Sequence, residues 1–227
     1  MYLYEMHCHA LPCSGCGGIQ PEDLVRGMKQ AGYAGMVLTD HFYHGNTGIR
    51  RNMPWADFVA AYEQNYLRAK TVGDQLDFDV LFGIEEGVGG GKEVLLYGIT
   101  PQVLYDHPEI RDADLATLSA IVHEAGGLVY QAHPFRVRDY IAKPWEPLPI
   151  DYLDGIEEYN ACNPPLDNLR AVQYAKETGL PTIAGSDRHY MGHCENFGIL
   201  SPTRIRTEQE LVQVLTEERY DLHIPGV

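Results

Sequence analysis

The chain has 227 residues, 44% of them hydrophobic and 22% charged, a composition typical of a folded globular protein and not of a disordered one. Its 32 acidic residues against 17 basic ones give a formal net charge of −15, which disfavours binding to long nucleic acids. The sequence has neither a run of about 18 apolar residues nor a secretion signal, and an odd number of cysteines favours reduced thiols. We therefore expect a cytoplasmic protein that binds neither membranes nor long nucleic acids.

Strand-like and helical segments alternate along the chain. Apolar runs predict strands at residues 2–9, 35–41, 79–88, 94–99, 128–134, 155–160 and 181–189. Apolar residues three or four apart predict a helix beginning near Pro21, one carrying Phe58 and Tyr62, one capped by Asp114, one carrying Leu169 and Val172, and one capped by Thr207. The alternation is typical of βαβ units and a mostly parallel sheet. With no linker rich in Ser or Pro, residues 1–227 are predicted to form a single domain.

Two histidines one residue apart, His7 and His9, end the first predicted strand. In a strand, residues i and i+2 point to the same face, so both imidazoles project together while Cys8 points away. Two adjacent imidazoles suit one metal ion. Taken alone this pattern is weak, because a buried histidine is also a common core residue.

Residue types that bind metals recur where the other predicted strands end. They are His41 in GMVLTDH, Glu85 in LFGIEE, His133 in YQAHP, and Asp187 and His189 in IAGSDRH. In a parallel barrel the C-terminal ends of the strands converge on one mouth, so these side chains would meet in space. Histidine nitrogens with carboxylate oxygens suit zinc, manganese or iron, and a carboxylate such as Glu85 can bridge two ions.

The motifs HCH, TDH, GIEE, AHPFR and GSDRH together resemble the five-motif signature of the PHP (polymerase and histidinol phosphatase) family of metal-dependent phosphoesterases. The resemblance covers residues 1 to about 200 and is closest to the small stand-alone bacterial members. It implies an α/β fold, a single distorted (β/α)7 TIM-like barrel with two divalent metal ions, or three, at the C-terminal mouth of the strands. It also implies that Glu85 bridges two ions and that the metal ligands are His7, His9, His41, Glu85, His133, Asp187 and His189.

Two positions depart from the family pattern. Many members have an Asp or His a few residues after the first motif, where this chain reads ALPCSGCGG. Cys16 in that stretch is either a soft metal ligand or a small buried thiol. Related three-metal members have a His three residues before the glycine of VLLYG, where this chain has Leu95. We therefore expect two metal ions rather than three.

The resemblance implies hydrolysis of a small phosphate mono- or diester through a metal-activated water. Arg136 and Arg188 stand beside predicted ligands and are candidate phosphate contacts, although either could instead pair with the site carboxylates. His44 and His193 follow ligand motifs and are either proton donors to the leaving alcohol or ordinary loop histidines. Two alternatives stay open: an amidohydrolase-like enzyme acting on C–N bonds, and a non-catalytic metal-binding regulatory module.

Overall fold

The structure is a computed structural model that describes residues 1–192 and 196–226, and in these residues helices lie between most of the successive strands. The strands are β1 (Tyr2–Cys8), β2 (Gly35–Leu38), β3 (Asp79–Phe82), β4 (Ile84–Gly87), β5 (Glu93–Tyr97), β6 (Leu128–Gln131), β7 (Gly155–Asn160), β8 (Thr182–Gly185), β9 (Gly198–Ser201) and β10 (Asp221–His223). The α-helices are α1 (Pro21–Gln30), α2 (Trp55–Leu76), α3 (Pro101–Asp106), α4 (Leu115–Glu124), α5 (Pro165–Thr178) and α6 (Glu208–Thr216). Short 3₁₀ helices lie at Pro108–Asp112 and Ile150–Tyr152.

The helix ends follow from local chemistry. The Asp114 side chain accepts a hydrogen bond from the backbone N–H of Thr117 and begins α4, as predicted. Thr207 and Glu210 form the predicted capping box of α6, each side chain accepting from the other residue's N–H. Helix α5 ends at Gly179, whose φ of 70° places it in the left-handed region that favours glycine. Within the described residues, no helix has the length and apolarity needed to cross a membrane.

The strands form two mixed sheets of five strands each, in the orders β10-β9-β1-β2-β3 and β4-β5-β6-β7-β8. The runs β1-β2-β3 and β6-β7-β8 are parallel, whereas β4, β5, β9 and β10 pair antiparallel with their neighbours. The predicted (β/α)7 barrel is therefore not confirmed, since no continuous ladder closes the described strands into a ring. The five-residue connection at residues 88–92 explains why β4 and β5 are antiparallel and have no helix between them. A parallel crossover needs about a dozen residues, so this segment allows only a hairpin.

The two sheets meet at strand ends. Isolated bridges pair Cys8 with Arg188 and His41 with Glu85. The second junction is reinforced by the backbone N–H of Glu85, which donates to the carbonyl oxygen of Asp40 at 3.1 Å. The segments that carry the predicted ligands are thereby drawn together.

Strand β1 shows how the core supports this arrangement. Tyr4, Met6 and Cys8 are fully buried among apolar side chains. His7 alternates with them and points to the other face of the strand, together with His9 just beyond the strand end. Packing on one face thus fixes the direction of the two imidazoles on the other.

Candidate metal centre

All seven predicted metal ligands lie in one cluster. His7 belongs to β1 and Glu85 to β4, while the other five follow the ends of β1, β2, β6 and β8. Their potential ligand atoms form overlapping groups, in each of which the atoms lie within 4.8 Å of one another. These groups are His9, His41 and His189; His7, His9 and Glu85; His7, His133 and Asp187; and His41, Glu85 and Glu93.

The carboxylate of Glu85 lies at the centre of the cluster. Its oxygens are 3.3 Å from His7 Nε2, 3.4 Å from His9 Nε2, 2.8 Å from His41 Nδ1 and 3.0 Å from His133 Nε2. Burial would raise the pKa of Glu85, but the positive charges of His7 and His41 hold it well below its usual range. Glu85 is also shared by two of the four ligand groups, as the predicted bridging role requires.

Asp187 joins the opposite side of the cluster. Its Oδ1 lies 3.1 Å from His9 Nε2 and 3.5 Å from His7 Nε2. Its other oxygen, Oδ2, accepts a hydrogen bond from the guanidinium of Arg136. Burial would raise the pKa of Asp187, but Arg136 and His7 hold it well below its usual range, so the carboxylate stays ionised.

Glu93 is a member of the cluster that the sequence analysis missed. Its carboxylate oxygens lie 3.6 Å from His41 Nδ1 and 3.5 Å from His133 Nε2. Burial and the neighbouring charge of Glu85 raise the pKa of Glu93 to about 8. Glu93 begins β5 and pairs with Gly87 of β4, on the same face of its strand as Leu95. Leu95 itself is fully buried among apolar side chains, so Glu93 supplies the polar group that β5 brings to the site.

Hydrogen bonds behind the cluster fix the tautomer of His9. Ser14 Oγ donates to Asp40 Oδ1 at 2.7 Å and lies 2.9 Å from His9 Nδ1. Because a hydroxyl has only one hydrogen, Nδ1 of His9 must be the donor in the second contact. Its Nε2, which faces Glu85 and Asp187, is therefore left without a hydrogen and can bind a cation.

His7 is oriented in the same way by a residue that the sequence analysis also missed. His7 Nδ1 lies 2.9 Å from Glu157 Oε1, so Nδ1 donates and Nε2 faces the cluster. Glu157 belongs to β7 and is buried, and its Oε2 accepts from the backbone N–H of His133. Such carboxylate-to-histidine contacts are typical behind metal ligands.

The donor set fits a divalent cation. His41 Nδ1 and Glu85 Oε2 are buried and 2.8 Å apart, yet neither makes a hydrogen bond of normal geometry within the described residues. Buried polar atoms without partners are costly, and a cation between nitrogen and carboxylate donors would satisfy both. The mixture of imidazole and carboxylate groups suits zinc, manganese or iron.

A cavity of about 690 Å³ opens beside the cluster and gives a small molecule access to it. Its walls include ligands of the cluster, His41, Glu93, Asp187 and His189, together with Arg136, Tyr140, Lys92, His44 and Cys16. Arg136 is therefore exposed to the cavity at one edge. The rest of its guanidinium is engaged: Nε donates to Asn163 Oδ1 at 2.8 Å and an Nη donates to Asn160 Oδ1 at 3.0 Å.

Arg188 does not take the place predicted for it. Its side chain is fully buried, its Nη1 lies 3.5 Å from Met28 Sδ, and its charge acts on the buried carboxyl of Glu5. It is not among the residues that line the cavity. The backbone just beyond β8 turns Asp187 and His189 into the cluster, whereas Arg188 between them pairs with Cys8 in an isolated bridge and its side chain is buried away from the cavity. In this arrangement Arg188 does not reach the cavity, and its contact with the substrate stays a prediction.

The remaining candidates lie at the cavity edge. His44 is half-exposed, and its Nδ1 lies 2.8 Å from Glu86 Oε1, a hydrogen bond that raises the pKa of His44. Cys16 lines the cavity; burial would raise its pKa, but hydrogen bonds with His189 and His41 lower it to about 6. His193 lies outside the described residues.

The fold and part of the sequence match known proteins. Residues 165–220 match the family model described as PHP-associated. A two-domain protein from Bacteroides vulgatus, containing a predicted PHP-like metal-dependent phosphoesterase, is 15% identical with a TM-score of 0.70, over 97% of this chain and 64% of that one. A protein from Bifidobacterium adolescentis assigned to the metal-dependent phosphoesterases is 17% identical with a TM-score of 0.56, over 93% of this chain and 95% of that one.

A third structure comes from a different class of hydrolase. An amidohydrolase from Chromobacterium violaceum, solved with bound sulfate and no metal, is 15% identical with a TM-score of 0.61, over 96% of this chain and 97% of that one. The comparison with curated proteins gives no match. At these identities the structural likenesses show a shared α/β fold. The PHP-associated match, over residues 165–220, agrees with the PHP domain family that the five motifs predict.

Proposed function

We propose that this chain is a metal-dependent phosphoesterase that hydrolyses a small phosphate mono- or diester. The observation that carries the proposal is the convergence of five imidazoles and three carboxylates on one cluster beside a cavity. Two structures of the same fold support the proposal. One is assigned to the metal-dependent phosphoesterases, and the other is described as a two-domain protein that contains a predicted one. The imidazoles and carboxylates of the cluster are the groups that hold divalent metal ions in hydrolytic sites.

The ligand groups assign the residues that would hold two ions. One ion would take its ligands from the groups that contain His7, His9, His133 and Asp187, and a second from the group of His41 and Glu93. Glu85 would serve both. Divalent ions bound there would polarise the ester and lower the pKa of water toward about 7.

Other side chains around the cavity would act on the substrate directly. Arg136 lies at the cavity wall next to Asp187, where its guanidinium can orient a phosphate oxygen. The hydrogen bond to Glu86 raises the pKa of His44, so that His44 keeps a proton to higher pH and can donate it to a leaving alcohol. A cavity of about 690 Å³ suits a small substrate.

The test combines metal removal with one ligand variant. Protein dialysed against a chelator should lose activity on an aryl phosphate and regain it with manganese, zinc or iron. His133→Ala should bind less metal and lose activity, since its Nε2 contacts both Glu85 and Glu93. The matched control is His107→Ala, whose imidazole pairs with Glu109 outside the cluster. Full activity in chelated protein, or in His133→Ala at unchanged metal content, would contradict the proposal.

A second candidate function is hydrolysis of C–N bonds. It is favoured by the shared fold of the amidohydrolase from Chromobacterium violaceum. Because metal removal would abolish either activity, the two are separated by the substrate alone. Metal-loaded protein should be assayed on a panel of phosphate esters and a panel of cyclic amides. Turnover confined to the amides would replace the phosphoesterase proposal with this one.

A further inference from the structure

The guanidinium of Arg136 is held through two of its nitrogens. Nε donates to Asn163 Oδ1 at 2.8 Å, and Nη2 donates to Asn160 Oδ1 at 3.0 Å and to Asp187 Oδ2. These bonds engage the hydrogen on Nε and both hydrogens on Nη2, so the hydrogens that remain are those of Nη1. Nη1 makes no hydrogen bond within the described residues, and it is not among the buried side-chain atoms that lack a partner. It is therefore accessible to a ligand in the cavity that Arg136 lines.

Asn168, in the first turn of α5, fixes the orientation of the Asn163 amide. Nδ2 of Asn168 donates to the carbonyl oxygen of Asn160 at 2.9 Å, and Oδ1 of Asn168 accepts from the backbone N–H of Asn160 at 3.2 Å. Because an amide oxygen can only accept, Nδ2 of Asn163 is the donor in its 3.2 Å contact with Asn168 Oδ1. The oxygen of Asn163 is thereby left to accept from Nε of Arg136.

Buried side chains also hold the backbone around these contacts. Asp167, in the first turn of α5, accepts from the backbone N–H of Val137 at 3.2 Å. Asn160 ends β7, and its Nδ2 donates to Glu157 Oε2 at 2.9 Å. A side chain that is already fixed loses less conformational freedom when a ligand binds to it. Arg136 is therefore held in one orientation before any substrate enters the cavity.

We propose that Asn163 and Asn160 are positioning residues, which hold Arg136 so that its Nη1 contacts a phosphate oxygen of the substrate. This inference rests on the proposed phosphoesterase function, and it gives the start of α5 a role in that function. Glu93 and Asp187 also line the cavity, so a guanidinium free to rotate would be drawn onto a carboxylate and away from the substrate. The two asparagines keep one edge of the guanidinium available for the phosphate.

A double-mutant cycle separates positioning from a general structural role. The affinity of manganese-loaded protein for inorganic phosphate is measured by calorimetry, and the bound metal is counted in each variant. Asn163→Ala should weaken phosphate binding at least about tenfold at unchanged metal content. In an Arg136→Met background the same substitution should have no further effect, because the residue on which it acts is gone. The matched control is Gln173→Ala, an amide of α5 that pairs with Glu177 on the exposed side of the helix and should bind phosphate as the wild type does.

Proton exchange in the wild-type protein keeps the test decisive if Asn163→Ala does not fold. In protein with isotope-labelled arginine, the Nε–H of Arg136 should exchange with water more slowly than that of Arg138, an exposed residue whose Nε donates to no described residue. The signal of Arg136 is assigned by its loss in Arg136→Lys.

Three results would overturn the inference and leave the proposed function standing. They are unchanged phosphate affinity in Asn163→Ala, an equal loss of affinity in both backgrounds, and equally fast exchange of the two Nε–H groups. Phosphate binding with the expected coupling, but without turnover of any phosphate ester, would instead contradict the proposed function and leave the positioning of Arg136 standing.

Discussion

His41 and Glu85 face each other where strand ends of the two sheets meet. They form an isolated bridge between the strand segments, and their side-chain atoms Nδ1 and Oε2 lie 2.8 Å apart. The centre of the candidate metal site is therefore also a junction of the fold. A cation at this point would stabilise the contact between the sheets as well as supply chemistry, because binding to the native state alone stabilises it.

Glu85→Gln should remove most of the bound metal. The amide keeps the shape of the carboxylate but loses the charge that faces four histidines, so we expect metal affinity to fall by at least about a hundredfold. Elemental analysis after gel filtration measures the loss. Glu86→Gln is the matched control, since Glu86 is buried beside it but accepts from His44. Equal metal content in Glu85→Gln and Glu86→Gln would contradict the role of Glu85 as a metal ligand.

Ser14→Ala should weaken metal binding without touching a ligand. The variant removes the oxygen that receives the hydrogen of His9 Nδ1 and leaves that ring free to rotate or change tautomer. Loss of such a partner typically lowers metal affinity by about ten- to hundredfold. Competition with a chromogenic chelator gives the affinity. The control is Ser119→Ala, because Ser119 is buried and donates to Tyr152 O away from the cluster. This variant should leave the metal affinity unchanged.

His44→Gln should affect substrates according to their leaving group. If His44 donates a proton, turnover of alkyl phosphates should fall by about a hundredfold or more, while aryl phosphates with acidic leaving groups are spared. The sign of the pH effect follows from the raised pKa of His44: the protonated form dominates at low pH and is lost as pH rises through that pKa. Alkyl phosphate turnover in wild-type protein should therefore decline at high pH. Equal losses on both substrate types would argue against a proton donor.

Arg188→Leu should lower stability and leave the KM for substrate unchanged. The guanidinium is buried beside Met28, and its positive charge acts on the buried carboxyl of Glu5. Removing a buried guanidinium whose charge acts on a buried carboxyl should lower the free energy of unfolding, by on the order of 3 kcal/mol. Denaturant unfolding of the chelated protein gives the free energy of unfolding. A KM raised more than tenfold with unchanged stability would restore the substrate contact expected from the sequence.

The positions of the ligands could be read from the sequence because they depend on local pattern. His7 and His9 share a face of β1 through the two-residue period of a strand, and that holds in any sheet arrangement. The positions of His41 and His133 follow from where apolar runs end. These positions do not depend on the closed (β/α)7 barrel from which their convergence was predicted, which the two mixed sheets do not confirm.

Glu93 and Glu157 could not be found in the same way. Glu93 reaches the cluster because β4 and β5 pair antiparallel with Gly87 opposite Glu93, a register set by the short connection at residues 88–92. The sequence analysis interpreted the strands as mostly parallel, and that interpretation does not place Glu93 opposite Gly87. Glu157 lies within β7 and reaches the cluster through His7 and His133, so its role depends on contacts far apart in sequence.

Anomalous diffraction tests the central claim most directly. Crystals of protein loaded with zinc or manganese, measured at the absorption edge of the bound element, would locate each ion independently of any assay. The account predicts at least two peaks, both within bonding distance of the Glu85 carboxylate, with histidine nitrogens of the cluster completing each site. Metal peaks found only elsewhere on the protein, with the cluster side chains hydrogen-bonded solely to one another, would contradict it.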